Sequence, residues 1–275
     1  MPKPPLTLPL APPPSLWSAR RRQTLALAGG ALLGLALPSA RANDLDDIRA
    51  RGELRIGTSG TAVPNSYVNK QNQLIGFDID WGNIIGHDLG IPVRWVKIDF
   101  RGLFPALAYG QIDMIITGVR IRDDLQREFL FSQPYSWEES VAVVKAGDTS
   151  MKNFADLRGR TVAVVAASYQ EDLVKKMGGY GDLLVLPSGA DVFLAMYTGH
   201  ADVVLTGITA ATHYKNAGHP VRIVGSGKLS PQGMVMNKRS FALKQQVDAI
   251  LTRHHADGTY AMLYRKHFKL EPPKP

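Results

Sequence analysis

From residue 53 onward, short β-branched runs alternate with stretches of helical period, and the alternation runs through once and then starts again. The first series begins with Leu54-Arg55-Ile56-Gly57-Thr58, which reads as a strand, and continues with a helix over 77–89 that Gly90 and Pro92 end. A strand over 93–98, a helix over 103–109, a strand over 113–116 and a long extended run over 140–145 follow. The second series opens with a strand over 161–165 and a helix over 168–177 whose Ser168 and Glu171 form a capping box. Strands over 183–186, 202–205 and 221–224 then alternate with helices over 191–198 and 210–216. After an extended 234–236, the helical period returns over 241–254 and 260–268. Strands alternating with helices build α/β layers, and two successive sets imply two lobes of roughly 100 residues each.

The formal charge of +8 over 275 residues suggests a polyanion partner until it is located along the chain. Five of the basic residues (Lys3, Arg20, Arg21, Arg22, Arg41) fall within residues 1–42, which hold no acid, so removing them leaves +3 for 43–275. That is too mild a field to draw nucleic acid, and none is expected as a partner. Residues 1–42 read instead as an export signal: a Pro-rich start, the Arg20-Arg21-Arg22 cluster, an apolar stretch over 25–37, and the small-x-small pattern Ala40-Arg41-Ala42 at which signal peptidases cut. The apolar stretch falls short of the ~20 residues that span a bilayer. The arginines followed by Gln23-Thr24-Leu25 resemble a twin-arginine signal, with Thr24 where an aromatic is usual; a Sec signal is the alternative. Cysteine is absent, which excludes a disulfide, a thiolate metal site, a Cys nucleophile and a lipidated cysteine at the cleavage point. An exported chain without a lipid anchor is expected to be retained in a periplasm.

No nucleophile elbow, phosphate loop, dinucleotide fingerprint or zinc-type His-Glu motif is present. The seven histidines are scattered, and the adjacent His254 and His255 point about 100° apart on a helix, so they are expected at the surface and not as a chelating pair. No catalytic residue, metal or cofactor is expected, and a cleft between two lobes is the natural place for a ligand.

Several short motifs narrow this. Gly52-Glu53-Leu54-Arg55-Ile56-Gly57-Thr58, Leu74-Ile75-Gly76-Phe77-Asp78-Ile79-Asp80, Phe104-Pro105-Ala106-Leu107 with Gly110-Gln111-Ile112-Asp113, and Phe131-Ser132-Gln133-Pro134-Tyr135 occur in that order. Asp156-Leu157-Arg158-Gly159-Arg160, Gly199-His200-Ala201-Asp202 and Asp257-Gly258-Thr259-Tyr260 complete the set. In order and spacing the chain resembles the family 3 solute-binding proteins, periplasmic receptors of amino-acid ABC importers, over nearly all of 43–275. The resemblance implies a type II periplasmic-binding-protein fold, with two α/β domains joined by a two-strand hinge. Lobe one would hold 43–136 and 232–275, lobe two 137–231, and the crossovers near 137–141 and 229–233 would form the hinge. It also implies a monomer that captures a small ligand between its lobes and presents it to an ABC permease in the inner membrane; the departures described below make that ligand an amino acid or a related small organic anion.

Carried over one position at a time, the resemblance makes Phe100 a stacking aromatic, which the flanking Asp99 and Arg101-Gly102 place on a loop. Thr117 and Gly118 would offer backbone groups to the ligand, and Ser168 would meet a carboxylate at a helix N-terminus, where its N-cap role is compatible with anion binding. Four recognition positions depart from the family. Arg120 stands where a small hydroxyl residue is usual, Leu125 replaces the carboxylate-binding arginine, Gly207 replaces the acid that pairs with the α-amino group, and Ala62 replaces a second aromatic. Arg120 and Arg122 would share one face of an extended segment, and either guanidinium would grip a carboxylate in place of the lost arginine. The alternative for both is pairing with Asp123 and Asp124 at the next helix N-terminus. The expected cleft therefore has guanidinium groups and no carboxylate for an ammonium at a matched position, with Asp78, Asp80, Glu138 and Glu139 left unplaced. Two other functions fit the scaffold: an accessory or sensor protein without a transported ligand, and a dehydratase-like enzyme.

Overall fold

Two five-stranded sheets organise residues 44–154 and 156–273, the part of the chain that the computed structural model describes. The expected export signal over 1–42 lies outside the described residues. In the first sheet the order is Val93–Lys97, Leu54–Thr58, Met114–Ile115, Val235–Asn237 and Phe129–Phe131, with the first three parallel. Val235–Asn237, from far along the chain, lies antiparallel between Met114–Ile115 and Phe129–Phe131. The second sheet runs Asp182–Leu186, Thr161–Val165, Val203–Gly207, Ser140–Lys145 and Val221–Ser226. The chain passes between the sheets twice, along Ser136–Glu138 and back along Ser230–Gln232, and these two strands pair antiparallel as a separate ribbon.

Period-2 alternation sorts the second lobe's core into two layers. Val141, Val143 and Ala163 pack with Phe193 and Met196 of the helix Gly189–Tyr197, while Ala142, Val144, Val162 and Val164 pack with Val174 of the helix Tyr169–Met177. A sheet covered on both faces needs near-continuous apolar strands, which is what Val141 to Val144 and Thr161 to Val165 supply. Both helices start at serine caps: Ser168 Oγ accepts from Glu171 N and Ser188 Oγ from Asp191 N, each at 3.2 Å.

The first lobe is built around the helix Phe77–Leu89, which the left-handed Gly90 ends as expected. Phe77 and Trp81 are completely buried. Phe77 lies 4.7 Å from the Phe268 ring and 6.0 Å from that of Tyr135, and Trp81 stacks on His255 at 6.1 Å. The expectation that His254 and His255 lie at the surface is corrected here. The helix Phe241–Ala256 crosses Phe77–Leu89, so both imidazoles are half-buried; His254 Nε2 sits 2.8 Å from Asp88 Oδ2. A second correction concerns Phe100, which opens the helix Phe100–Ala108 with Asp99 at the N-cap position and does not lie on a loop. The stripe Leu103, Ala106 and Leu107 that this helix buries explains its register.

Asp78 is completely buried beside this core and accepts a hydrogen bond on Oδ1 from the Tyr135 hydroxyl at 2.9 Å. Burial, reinforced by the charge of Glu138 and opposed by the Tyr135 hydrogen bond, pushes its carboxyl up to about 7. Between its ordinary value near 3.8 and about 7 the folded chain therefore holds a proton that the unfolded chain has lost. Stability from this group is fully present below the lower value and is lost as pH rises toward the upper one, with a slope of up to ~1.4 kcal/mol per pH unit. Asp78→Asn, compared with the parent by chemical denaturation from pH 4 to 8, is expected to remove that slope; an unchanged slope would assign it elsewhere. Trp81→Ala is expected to cost about 3–5 kcal/mol in the same assay, because its neighbours on the two crossing helices cannot collapse into the space.

Candidate ligand-binding cleft

Between the two sheets, and against the ribbon that joins them, lies a cavity of about 700 Å³. The strand ends and helix starts of both lobes converge on it, as expected where polypeptide turns from strand to helix and exposes unpaired amides. Phe100, Thr117, Gly118, Arg120, Arg122, Ser168 and Gly207 all line it. The geometry gives them different work.

Phe100 is half-buried and meets Phe104 edge-on at 6.3 Å, forming an apolar wall. Thr117 Oγ1 lies 3.3 Å from Ser59 Oγ. Gly118 adopts a left-handed φ of 68° that a side chain would strain. Its N–H donates to the Tyr135 hydroxyl at 2.9 Å and its carbonyl accepts from Gln232 Nε2 at 3.2 Å, so its amide is engaged with lobe one's own core. Ser168 is buried at the start of the helix Tyr169–Met177, with its hydroxyl capping Glu171.

The two arginines separate. Arg120 is 5 % exposed, donating from Nη1 to the Glu138 carbonyl at 2.6 Å and from Nη2 to Ser140 Oγ at 3.1 Å. Its guanidinium carbon lies 4.7 Å from the centre of the Tyr169 ring, so the cation is clamped between the ribbon and the second lobe. Burial lowers its pKa, the nearby Glu138 charge opposes that, and an arginine stays protonated throughout. Arg122 spends its guanidinium on carboxylates, Nη2 on Asp124 at 2.9 Å and Nη1 on Asp172 at 2.5 Å. The first was the expected alternative. The second joins the two lobes across the mouth of the cleft.

Gly207 ends the strand Val203–Gly207 and stands at the N-cap of the helix Ile208–Asn216, with no side chain to cap it. The Glu138 carboxylate does so instead. Its Oε1 accepts from Thr209 N at 3.2 Å and from the Thr209 hydroxyl, and its Oε2 accepts from Gln232 Nε2 at 2.9 Å. A Cβ on residue 207 would stand 2.2 Å from Glu138 Oε1, so the glycine leaves the space that the carboxylate fills. Of the four acids the sequence left unplaced, Asp78, Asp80, Glu138 and Glu139, it is Glu138 that lines the cleft. Gln232, Ser140 and Tyr169 were not singled out from the sequence.

A cleft lined from two lobes, crossed by a short ribbon and holding buried charges of both signs defines a two-lobed solute receptor. The described family "Bacterial extracellular solute-binding proteins, family 3" matches residues 54–270, and the chain belongs to it. A putative amino-acid ABC transporter-binding protein of Vibrio harveyi is 28% identical over 225 residues, covering 80% of this chain and 90% of the relative. Among solved structures, an ancestral arginine-binding protein bound to arginine superposes with a TM-score of 0.75 at 33% identity, covering 79% of this chain and 99% of that one. An ancestral amino acid-binding protein described as a precursor of cyclohexadienyl dehydratase gives a TM-score of 0.77 at 31% identity, covering 82% of this chain and all of the other.

The Arg122–Asp172 pair exists only while the lobes are together, so it biases the open–closed equilibrium toward closure. Asp172 is more than half exposed, which limits the effect to about 0.2–1 kcal/mol, a few-fold change in population that salt screens. Asp172→Ala is expected to raise the radius of gyration in small-angle scattering at low salt and to match the parent at high salt. Superimposable profiles at both salts would show that the pair does not hold the lobes.

Proposed function

We propose that this protein is the periplasmic substrate-binding component of an ABC importer, capturing an amino acid or related small organic anion between its lobes for delivery to an inner-membrane permease. The observation that carries this reading is the buried Arg120, which lines the cleft with a guanidinium held in place by a carbonyl, a hydroxyl and an aromatic face. A guanidinium so prepared has little conformational freedom to lose on binding a carboxylate, which favours affinity. Phe100 packs against the ligand's apolar part, Thr117 and Ser168 offer hydroxyls from opposite lobes, and Arg122 closes the mouth. Closure follows because the ligand touches both lobes only when they are together.

The same reading takes residues 1–42 as a cleaved export signal, 43–136 with 232–275 as lobe one, 137–231 as lobe two, and the receptor as a monomer. It is a binding function and not a catalytic one. Both oxygens of the cleft carboxylate of Glu138 accept hydrogen bonds from the protein's own groups. The relatives that carry a functional name as transporter-binding proteins support the same view.

The test is a thermal-shift screen of residues 43–275 against amino acids, 2-keto acids, dicarboxylates and sulfonates, followed by calorimetry. A compound at a hundred times its dissociation constant is expected to stabilise the fold by about 2.7 kcal/mol. Arg120→Ala is expected to weaken the best compound by about 10- to 100-fold, the worth of a charge-assisted pair. Unchanged affinity in Arg120→Ala would remove the arginine as the anchor, and the absence of any shift would overturn the receptor reading. Turnover of a bound compound would replace it with an enzyme.

A further inference from the structure

The cleft holds a second buried charge that the anchor role of Arg120 does not use. Glu138 is 8 % exposed and lines the cavity, yet it belongs to the ribbon and to neither lobe's sheet. A carboxylate buried to this degree needs compensation. Its Oε1 is saturated by the amide and hydroxyl of Thr209, whereas its Oε2 receives a single hydrogen bond, from Gln232 Nε2. One acceptor site on Oε2 is therefore left over. The neighbouring guanidinium does not take it, because Arg120 directs Nη1 to the Glu138 carbonyl and Nη2 to Ser140 Oγ.

Two buried charges of opposite sign, close enough to influence one another but not joined as a pair, ask for a ligand that carries both of theirs. A carboxylate alone would satisfy Arg120 and be repelled by Glu138. An amine alone would do the reverse. We propose that Glu138 is a specificity-determining residue that accepts the ligand's ammonium on Oε2, so that the cleft selects zwitterionic amino acids over the corresponding anions. This rests on the reading of the cleft as an amino-acid or organic-anion site and narrows it. Gly207 is the steric partner of the device: any side chain there would displace the Glu138 carboxylate from the helix N-terminus. Because Gln232 Nε2 holds both Glu138 Oε2 and the Gly118 carbonyl, the ammonium would bind to a group that already ties the ribbon to lobe one.

The experiment titrates matched probes, each L-amino acid and its 2-hydroxy acid counterpart, into the parent, Glu138→Gln and the double variant Glu138→Ala/Gly207→Asp. In the parent, at least one amino acid is expected to bind while its hydroxy acid binds more weakly by about 10- to 100-fold, the range for a hydrogen bond to a charged group. Glu138→Gln is expected to lose that discrimination, with the hydroxy acid bound no worse than by the parent, which also reports that the variant is folded. The double variant restores a carboxylate to the same space from residue 207 and is expected to recover preference for the amino acid. Hydroxy acids binding the parent as tightly as amino acids would overturn the role of Glu138 and leave the anion receptor standing. Undiminished discrimination in a folded Glu138→Gln would do the same. If neither probe class, nor any other organic anion, bound the parent, both readings would fall together.

Discussion

The polypeptide crosses between the lobes along the ribbon of Ser136–Glu138 and Ser230–Gln232, and the ribbon carries a continuous polar chain. Buried Asp78 accepts from the Tyr135 hydroxyl, which accepts from Gly118 N–H; the Gly118 carbonyl accepts from Gln232, which also donates to Glu138. Glu138 in turn accepts from Thr209 at the start of a second-lobe helix. Each link pairs a donor with an acceptor in this chain, and a break would strand one of them without water to replace it. The chain thus joins the core of lobe one to the first turn of a helix in lobe two through the crossing itself.

The electrostatics of the cleft follow from that arrangement. Glu138 is held in place by neutral donors and by the partial positive end of the helix Ile208–Asn216, whose N-cap glycine has nothing of its own to offer. Arg120 is held by neutral acceptors and the Tyr169 ring. The two charges do not pair with each other. Arg122, two residues on, has the opposite fate: half-exposed at the rim and flanked by acids, it is drawn into pairs with Asp124 and Asp172.

Strand and helix order was legible from residue 53 onward wherever the elements were long enough to show a period, while the helix Asp44–Arg51 before it was not read. The strand Leu54–Thr58 and the helix Phe77–Leu89 have the bounds their β-branched run and terminal glycine predict, and the Ser168 cap forms as its spacing from Glu171 implies. Short elements carried no such signal. The strands Thr61–Ala62 and Leu74–Ile75 and the helix Asp123–Glu128 are too brief for a period, and tertiary contacts define them. Phe100 was placed one step wrong because Gly102 looked like a loop residue; the burial of Leu103 and Leu107 outweighs its weak helix propensity. His254 and His255 looked like surface residues because no pattern within one helix announces the second helix that crosses it.

By itself the sequence determined the α/β layering and the two-lobed plan implied by a series that repeats, since these depend on local period; the exchanged recognition positions were implied by the family resemblance. The sequence also placed Arg120 and Arg122 on one face. Only the tertiary structure decided that the vacancy at Gly207 is filled from Glu138, 69 positions earlier in the chain, and that Arg120 faces the cleft while Arg122 bridges its rim. The physical reason is that a carboxylate's usefulness depends on which donors surround it and which charges lie across from it. Those neighbours come from the ribbon, two sheets and a helix start that the linear order keeps far apart.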